Sequence, residues 1–173
     1  MPAEHAYVPD MPQLMTAEEL LSTNVPNRRT ELVRGRLIVH EPPGGRHGYV
    51  AANLAFRLNQ HIDLTVAGAV FVGDVGFTLR RDPDTVRGPD IAFVSKDRVP
   101  DPIPSAFLEF APDLVVEILS PSDRPGEVLA TRWRRFWRSL DHGVARADRP
   151  TCCVAATEAV GPCGPPLRCG TCS

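Results

Sequence analysis

The sequence predicts an α/β domain in which a mixed β-sheet carries helices packed against it. Two observations lead there. Helix-like and strand-like patterns alternate along most of the chain, in the order helix, strands, helix, strands, helix, which is how helices come to be layered on a sheet. The strand-like runs are short, rich in Val, Ile and Phe, and bounded by Gly, Pro and Asp. With 173 residues, 43% hydrophobic and 23% charged, the chain has enough material for one domain with a real core.

Thr16-Ala17-Glu18-Glu19 is a capping-box pattern and starts a short helix to about Leu21. Asn24 to Arg29 is a turn-rich break. Glu31 to Val39 reads as two strands meeting around Arg34-Gly35, and Glu41 to Gly45 reads as a loop. His47 opens a second helix, with Val50, Leu54, Leu58 and Ile62 at helical spacing. Strands follow at Ala69 to Val72 and Val75 to Leu79, then a charged turn from Arg80 to Arg87. Pro89 to Val94 and Asp113 to Leu119 are two further strands, separated by a proline-rich loop. A last helix is expected from about Glu127 to Leu140. Leu129, Trp133, Phe136, Trp137 and Leu140 form its apolar stripe, and Arg132, Arg134, Arg135 and Arg138 lie opposite. That basic face reads first as solvated helix surface.

The domain is therefore taken as residues 1–142, and 143–173 as an irregular Cys/Pro/Gly-rich tail in which only Thr151 to Ala156 has strand character. A sheet that ended before such a tail would leave an open edge, which invites dimerisation. All five cysteines lie in the tail; Cys169 and Cys172 form one C-x-x-C step, and their spacing fits no common zinc module. The formal net charge of −2 gives no global pull towards nucleic acid. No apolar stretch is long enough to span a bilayer and no secretory signal is visible, so a cytoplasmic location is the expectation.

Two carboxylates stand out. Asp90 lies in Gly88-Pro89-Asp90-Ile91-Ala92-Phe93-Val94, and Glu117 in the middle of Asp113-Leu114-Val115-Val116-Glu117-Ile118-Leu119. Burying a carboxylate in so apolar a run is unfavourable unless its charge is compensated. A pair on successive core strands favours a divalent cation, and hard oxygen ligands point to Mg²⁺ or Mn²⁺ rather than zinc. The plainer alternative is that Asp90 and Asp113, each after a proline, only mark turns into strands; Glu117, in mid-run, does not fit it.

Four motifs, in this order and spacing, resemble one bacterial family, the restriction endonucleases long catalogued as a domain of unknown function within the PD-(D/E)XK nuclease superfamily. They are Glu31-Leu32-Val33-Arg34-Gly35-Arg36-Leu37, Pro42-Pro43 with His47-Gly48, Gly88-Pro89-Asp90-Ile91, and Ala111 to Ser122 around Glu117. The match runs from about Thr16 to Ala130. The resemblance implies a restriction-endonuclease-like mixed sheet flanked by helices, Mg²⁺-dependent phosphodiester hydrolysis with DNA as partner, and a homodimer. It makes Asp90 and Glu117 the metal ligands, Glu31 a supporting acid and His47 a histidine near the site. His47 also reads as a helix-start or satisfied core histidine.

Two departures matter. The superfamily lysine is expected two residues after the glutamate, where this chain has Leu119, or on the following helix, where it has Thr131. Lys96 is the only lysine, and on one extended strand it would lie roughly 20 Å from Asp90. Arg132 is adjacent to the expected helix position but cannot act as a base. The alternative function is thus a non-catalytic nucleic-acid-binding relic of the same fold. From Thr131 onward the chain also leaves the family pattern, as a frame-shifted end would; the amphipathic stripe at Leu129 to Leu140 argues against complete nonsense.

Overall fold

The computed structural model describes residues 14–62, 67–119, 151–156 and 168–170. Its elements are α1 (Ala17–Ser22), β1 (Arg29–Val33), β2 (Arg36–His40), α2 (Gly45–His61), β3 (Gly68–Val72), β4 (Phe77–Arg80), β5 (Thr85–Arg87), β6 (Ile91–Ser95), β7 (Leu114–Leu119), β8 (Thr151–Ala156) and β9 (Arg168–Gly170). The expected α/β class is observed, with the strands divided between two sheets. A four-stranded antiparallel sheet has the order β2-β1-β5-β4, and a five-stranded mixed sheet the order β3-β6-β7-β8-β9, in which only β7 and β8 run parallel.

Local chemistry explains the element ends. Thr16 caps α1: its hydroxyl accepts from the Glu19 N–H while the Glu19 carboxylate accepts from the Thr16 N–H. Between β1 and β2, Arg34 and Gly35 both take positive φ, 52° and 74°, the geometry of a two-residue hairpin turn. The helix expected to open at His47 starts two residues earlier, at Gly45, so His47 lies within its first turn.

One expectation is corrected. The charged segment from Arg80 to Arg87 is not only a turn. Thr85, Val86 and Arg87 form β5, which pairs with β4 on one side and β1 on the other. Its three residues are buried, and its charged flanks hide the strand from a pattern search because Arg87 is buried against an acid. The helix expected at Glu127 to Leu140, with its arginine face, lies outside the described residues. Thr151 to Ala156 is a strand as anticipated. It runs parallel beside the whole of β7, Leu114↔Thr151 through Leu119↔Ala156, and β9 pairs with it in turn. The open edge expected beside β7 is therefore covered, and this part of 143–173 continues the sheet.

Three clusters fill the interior. Phe77 and Leu79 of one sheet meet Ala92, Val94 and Val115 of the other. Ala17 and Leu20 of α1 close over Leu32, Leu37 and Val86. Leu54, Ala55 and Leu58 of α2 lie on the opposite face of the mixed sheet, against Ile91 and Val116. Strand residues alternate between faces. Ile91 and Val116 therefore look towards α2, while Ala92, Val115 and the positions in phase with them look towards the four-stranded sheet. Glu117 is in phase with the second set, and Asp90 immediately precedes β6.

Candidate active site

β6 and β7 pair with Ile91 opposite Val116. Asp90 lies one residue before β6, and Glu117 follows Val116 on β7. Both are buried, at 5% and 4% exposure. The Asp90 carboxylate is held from several sides. Oδ2 accepts from the Ile118 N–H at 2.7 Å and faces His47 Nε2 at 3.1 Å, while Oδ1 lies 3.2 Å from an Arg29 terminal nitrogen. An ionised carboxylate only accepts, so the His47 contact requires the proton on Nε2.

Glu31, on β1, is tied into a separate set of donors. Its Oε1 accepts from the Gly88 N–H at 3.0 Å, and Oε2 meets both His40 Nε2 and Arg87 at 3.0 Å. Burial alone would raise its pKa, but the Arg87 charge, His40 and the Gly88 N–H outweigh that and bring it down to about 2. Glu31 thus fixes the main chain just before Pro89-Asp90.

Sequence reasoning missed two members of this site. Asp74 follows β3 in a Gly73-Asp74 turn where both residues have positive φ, 86° and 61°; aspartate tolerates this better than most residues. Its Oδ1 is buried without a hydrogen bond and lies 3.3 Å from Arg29. Burial raises the pKa of Asp74; Arg29 and His47 oppose this, and the nearby Asp90 and Glu31 charges add to it. Arg29 feels the charges of Asp74, Asp90, Glu31 and Glu117, which raise its pKa against the effect of burial. Gly88 makes the convergence of these loops possible: a Cβ there would come within 2.9 Å of the Asp74 carbonyl oxygen. The local signals were the Gly-Asp step after an apolar strand and an arginine opening another strand, both too common to single out.

The structure therefore brings Asp90 and His47 into contact, with Glu31 one hydrogen-bonded step away through Gly88 and Glu117 buried on β7 where its charge reaches Arg29. Asp113 plays the turn role instead: it accepts from the Ser95 N–H and pairs with Arg98.

Among the described residues, Glu31, Asp74, Asp90 and Glu117 lie in this region with Arg29 and Arg87. Together with the Asp74 oxygen that lacks a hydrogen bond, this all-oxygen donor set suits a hard divalent cation. Among the described residues, no three His, Cys, Asp or Glu side chains stand close enough together to form a ready cage. The donors fit Mg²⁺ or Mn²⁺ in kind and charge, and would have to draw closer to hold it.

The fold is an α/β domain of two sheets with helices packed on them. The crystal structure titled as a putative nuclease belonging to DUF820, from Anabaena variabilis, superposes with a TM-score of 0.62 at 20% identity, over 84% of this chain and 75% of that one. The model of the family described as "Uma2: Putative restriction endonuclease" matches residues 17–137. The chain belongs to that family. Comparison with curated proteins gives no match. No described helix is long and apolar enough to cross a membrane.

Proposed function

We infer that this chain is a metal-dependent endonuclease that hydrolyses phosphodiester bonds in DNA. The observation that supports this most is that Asp90, just before β6, and Glu117, on the neighbouring β7, are both buried carboxylates whose charges reach Arg29. They would hold Mg²⁺ or Mn²⁺, with Asp74 as a further oxygen donor. When bound, such an ion polarises the scissile phosphate and lowers the pKa of an attacking water.

The chain's own groups have separate tasks. The Ile118 N–H and His47 fix the rotation of the Asp90 carboxylate. His47 reaches Asp90 through Nε2, which leaves Nδ1 for a water. Glu31 acts at one remove, holding Gly88 and Arg87 so that Asp90 enters the site from a fixed main chain. Homodimerisation belongs to the same proposal, and sedimentation of the intact chain tests it.

Cleavage of supercoiled plasmid in Mn²⁺ is the test of function. The wild type should nick DNA, and Asp90→Asn or Glu117→Gln should lower the rate by about 100-fold or more. Wild-type rates in both variants would sink the assignment. DNA binding without cleavage, even in Mn²⁺, would favour the relic reading, which rests on Leu119 and Thr131 standing where lysine is expected.

A further inference from the structure

Arg29 is the feature that the metal assignment leaves unexplained. It opens β1 with its side chain only 17% exposed, and one terminal nitrogen reaches both Asp74 Oδ1, at 3.3 Å, and Asp90 Oδ1, at 3.2 Å. Those are oxygens that a divalent ion at this site would draw on. The Arg29 Nε is buried without a hydrogen bond. A single Arg29 nitrogen thus bridges two acids from different loops.

We propose that Arg29 is the site's built-in counter-cation, which a divalent metal must displace from Asp74 and Asp90, so that Arg29 sets the metal affinity of the site. This rests on the reading of Asp90 as a metal-binding carboxylate. In the metal-free protein the guanidinium offsets the repulsion between the two acids. On metal entry it gives up those oxygens and remains a mobile positive charge beside them, in a site that has no lysine at either expected position. Unlike charges a few ångströms apart in a part-buried site interact strongly enough that removing the guanidinium should tighten metal binding by on the order of tenfold or more.

The test is calorimetric titration of Mn²⁺ alone into the full chain and into Arg29→Gln and Arg29→Met, with Arg29→Lys as the charge-conserving comparison. The expected result is at least tenfold tighter binding in the Gln and Met variants, and affinity nearer the wild type with lysine. If the Gln and Met variants do not fold, Arg29→Lys decides alone. A single ammonium bridges two acids less well than a guanidinium, so Mn²⁺ should bind about threefold tighter. Metal binding by the wild type with equal or weaker affinity in the variants would overturn the proposal and leave the nuclease reading standing. Binding in the variants but not in the wild type would support the proposal and remove the metal-dependent reading for this chain. If neither binds, both fall.

Discussion

Asp84 and Asp90 are both buried aspartates, yet their surroundings differ in kind. Asp84 sits among donors. Its carboxylate accepts from the main-chain N–H groups of Ala17, at 2.8 Å, and Asp82, at 3.1 Å, and pairs with Arg81 at 2.9 Å. Its pKa is lowered, because these donors and the Arg81 charge outweigh the effect of burial. The result is a clamp between α1 and the β4–β5 hairpin. Asp90 has donors of its own, but it also has Asp74 sharing its arginine. At Asp84 two main-chain N–H donors and Arg81 hold the carboxylate low; at Asp74 burial and the neighbouring Asp90 and Glu31 charges raise it.

The largest contrast should appear in activity. Asp90→Asn should reduce Mn²⁺-dependent DNA cleavage by on the order of 100-fold or more, whereas Asp84→Asn should leave the rate per folded molecule unchanged. Equal losses in the two variants would erase the distinction between the corners.

Glu31 gives the next largest effect, in stability. Its pKa is about 2 in the folded protein against an ordinary 4.5. A carboxylate with a depressed folded-state pKa contributes stability that is fully present above about pH 4.5 and is lost as pH falls towards 2. The shift corresponds to about 3 kcal/mol. Denaturant unfolding between these pH values should show that loss in the wild type. Glu31→Gln should be less stable at pH 7 and should lose less on acidification; an identical acid response would mean that the Arg87 and His40 contacts do not hold Glu31 as described.

Asp84→Ala should cost about 1–3 kcal/mol, since it leaves the Ala17 N–H without its partner. Urea unfolding measures it. A neutral result would show that α1 is anchored by Thr16 and its apolar contacts alone.

The smallest effect is the most diagnostic in sign. The pKa of Asp74 is raised, first by burial and then by neighbouring acids. A carboxylate with a raised folded-state pKa opposes folding once pH exceeds its ordinary value. Asp74→Asn should therefore raise the metal-free Tm slightly, by on the order of 1–3 °C at neutral pH, while shrinking the stabilisation given by Mn²⁺. A lower Tm would place Asp74 with Asp84, as a structural acid.

The carboxylates on the two apolar runs were legible in the sequence because position in a hydrophobic strand makes an acid conspicuous; how they face each other depends on strand pairing. The capping box of α1, the turn at Arg34-Gly35 and the apolar stripe of α2 were legible for the same reason: each is a local pattern with a local cause. Asp74 and Arg29 were not. Their roles come from long-range convergence of two loops, one of which needs Gly88 to have no side chain, and no local pattern encodes that. β5 was obscured because a buried arginine in a short strand reads as surface until its partner Glu31 is known. Division of the strands into two sheets likewise depends on pairing, which residue patterning does not specify.

The most direct test of the metal site is the Mn²⁺-induced shift in Tm, measured side by side for the wild type, Asp90→Asn, Glu117→Gln and Asp84→Asn. At a metal concentration 100 times the dissociation constant, binding to the folded state alone stabilises by about 2.7 kcal/mol. The account predicts a clear upward shift in the wild type and an equal shift in Asp84→Asn from its own lower baseline, with little or none in Asp90→Asn and Glu117→Gln. A shift that survives in both Asp90→Asn and Glu117→Gln would contradict it, and would put any divalent site of this protein elsewhere.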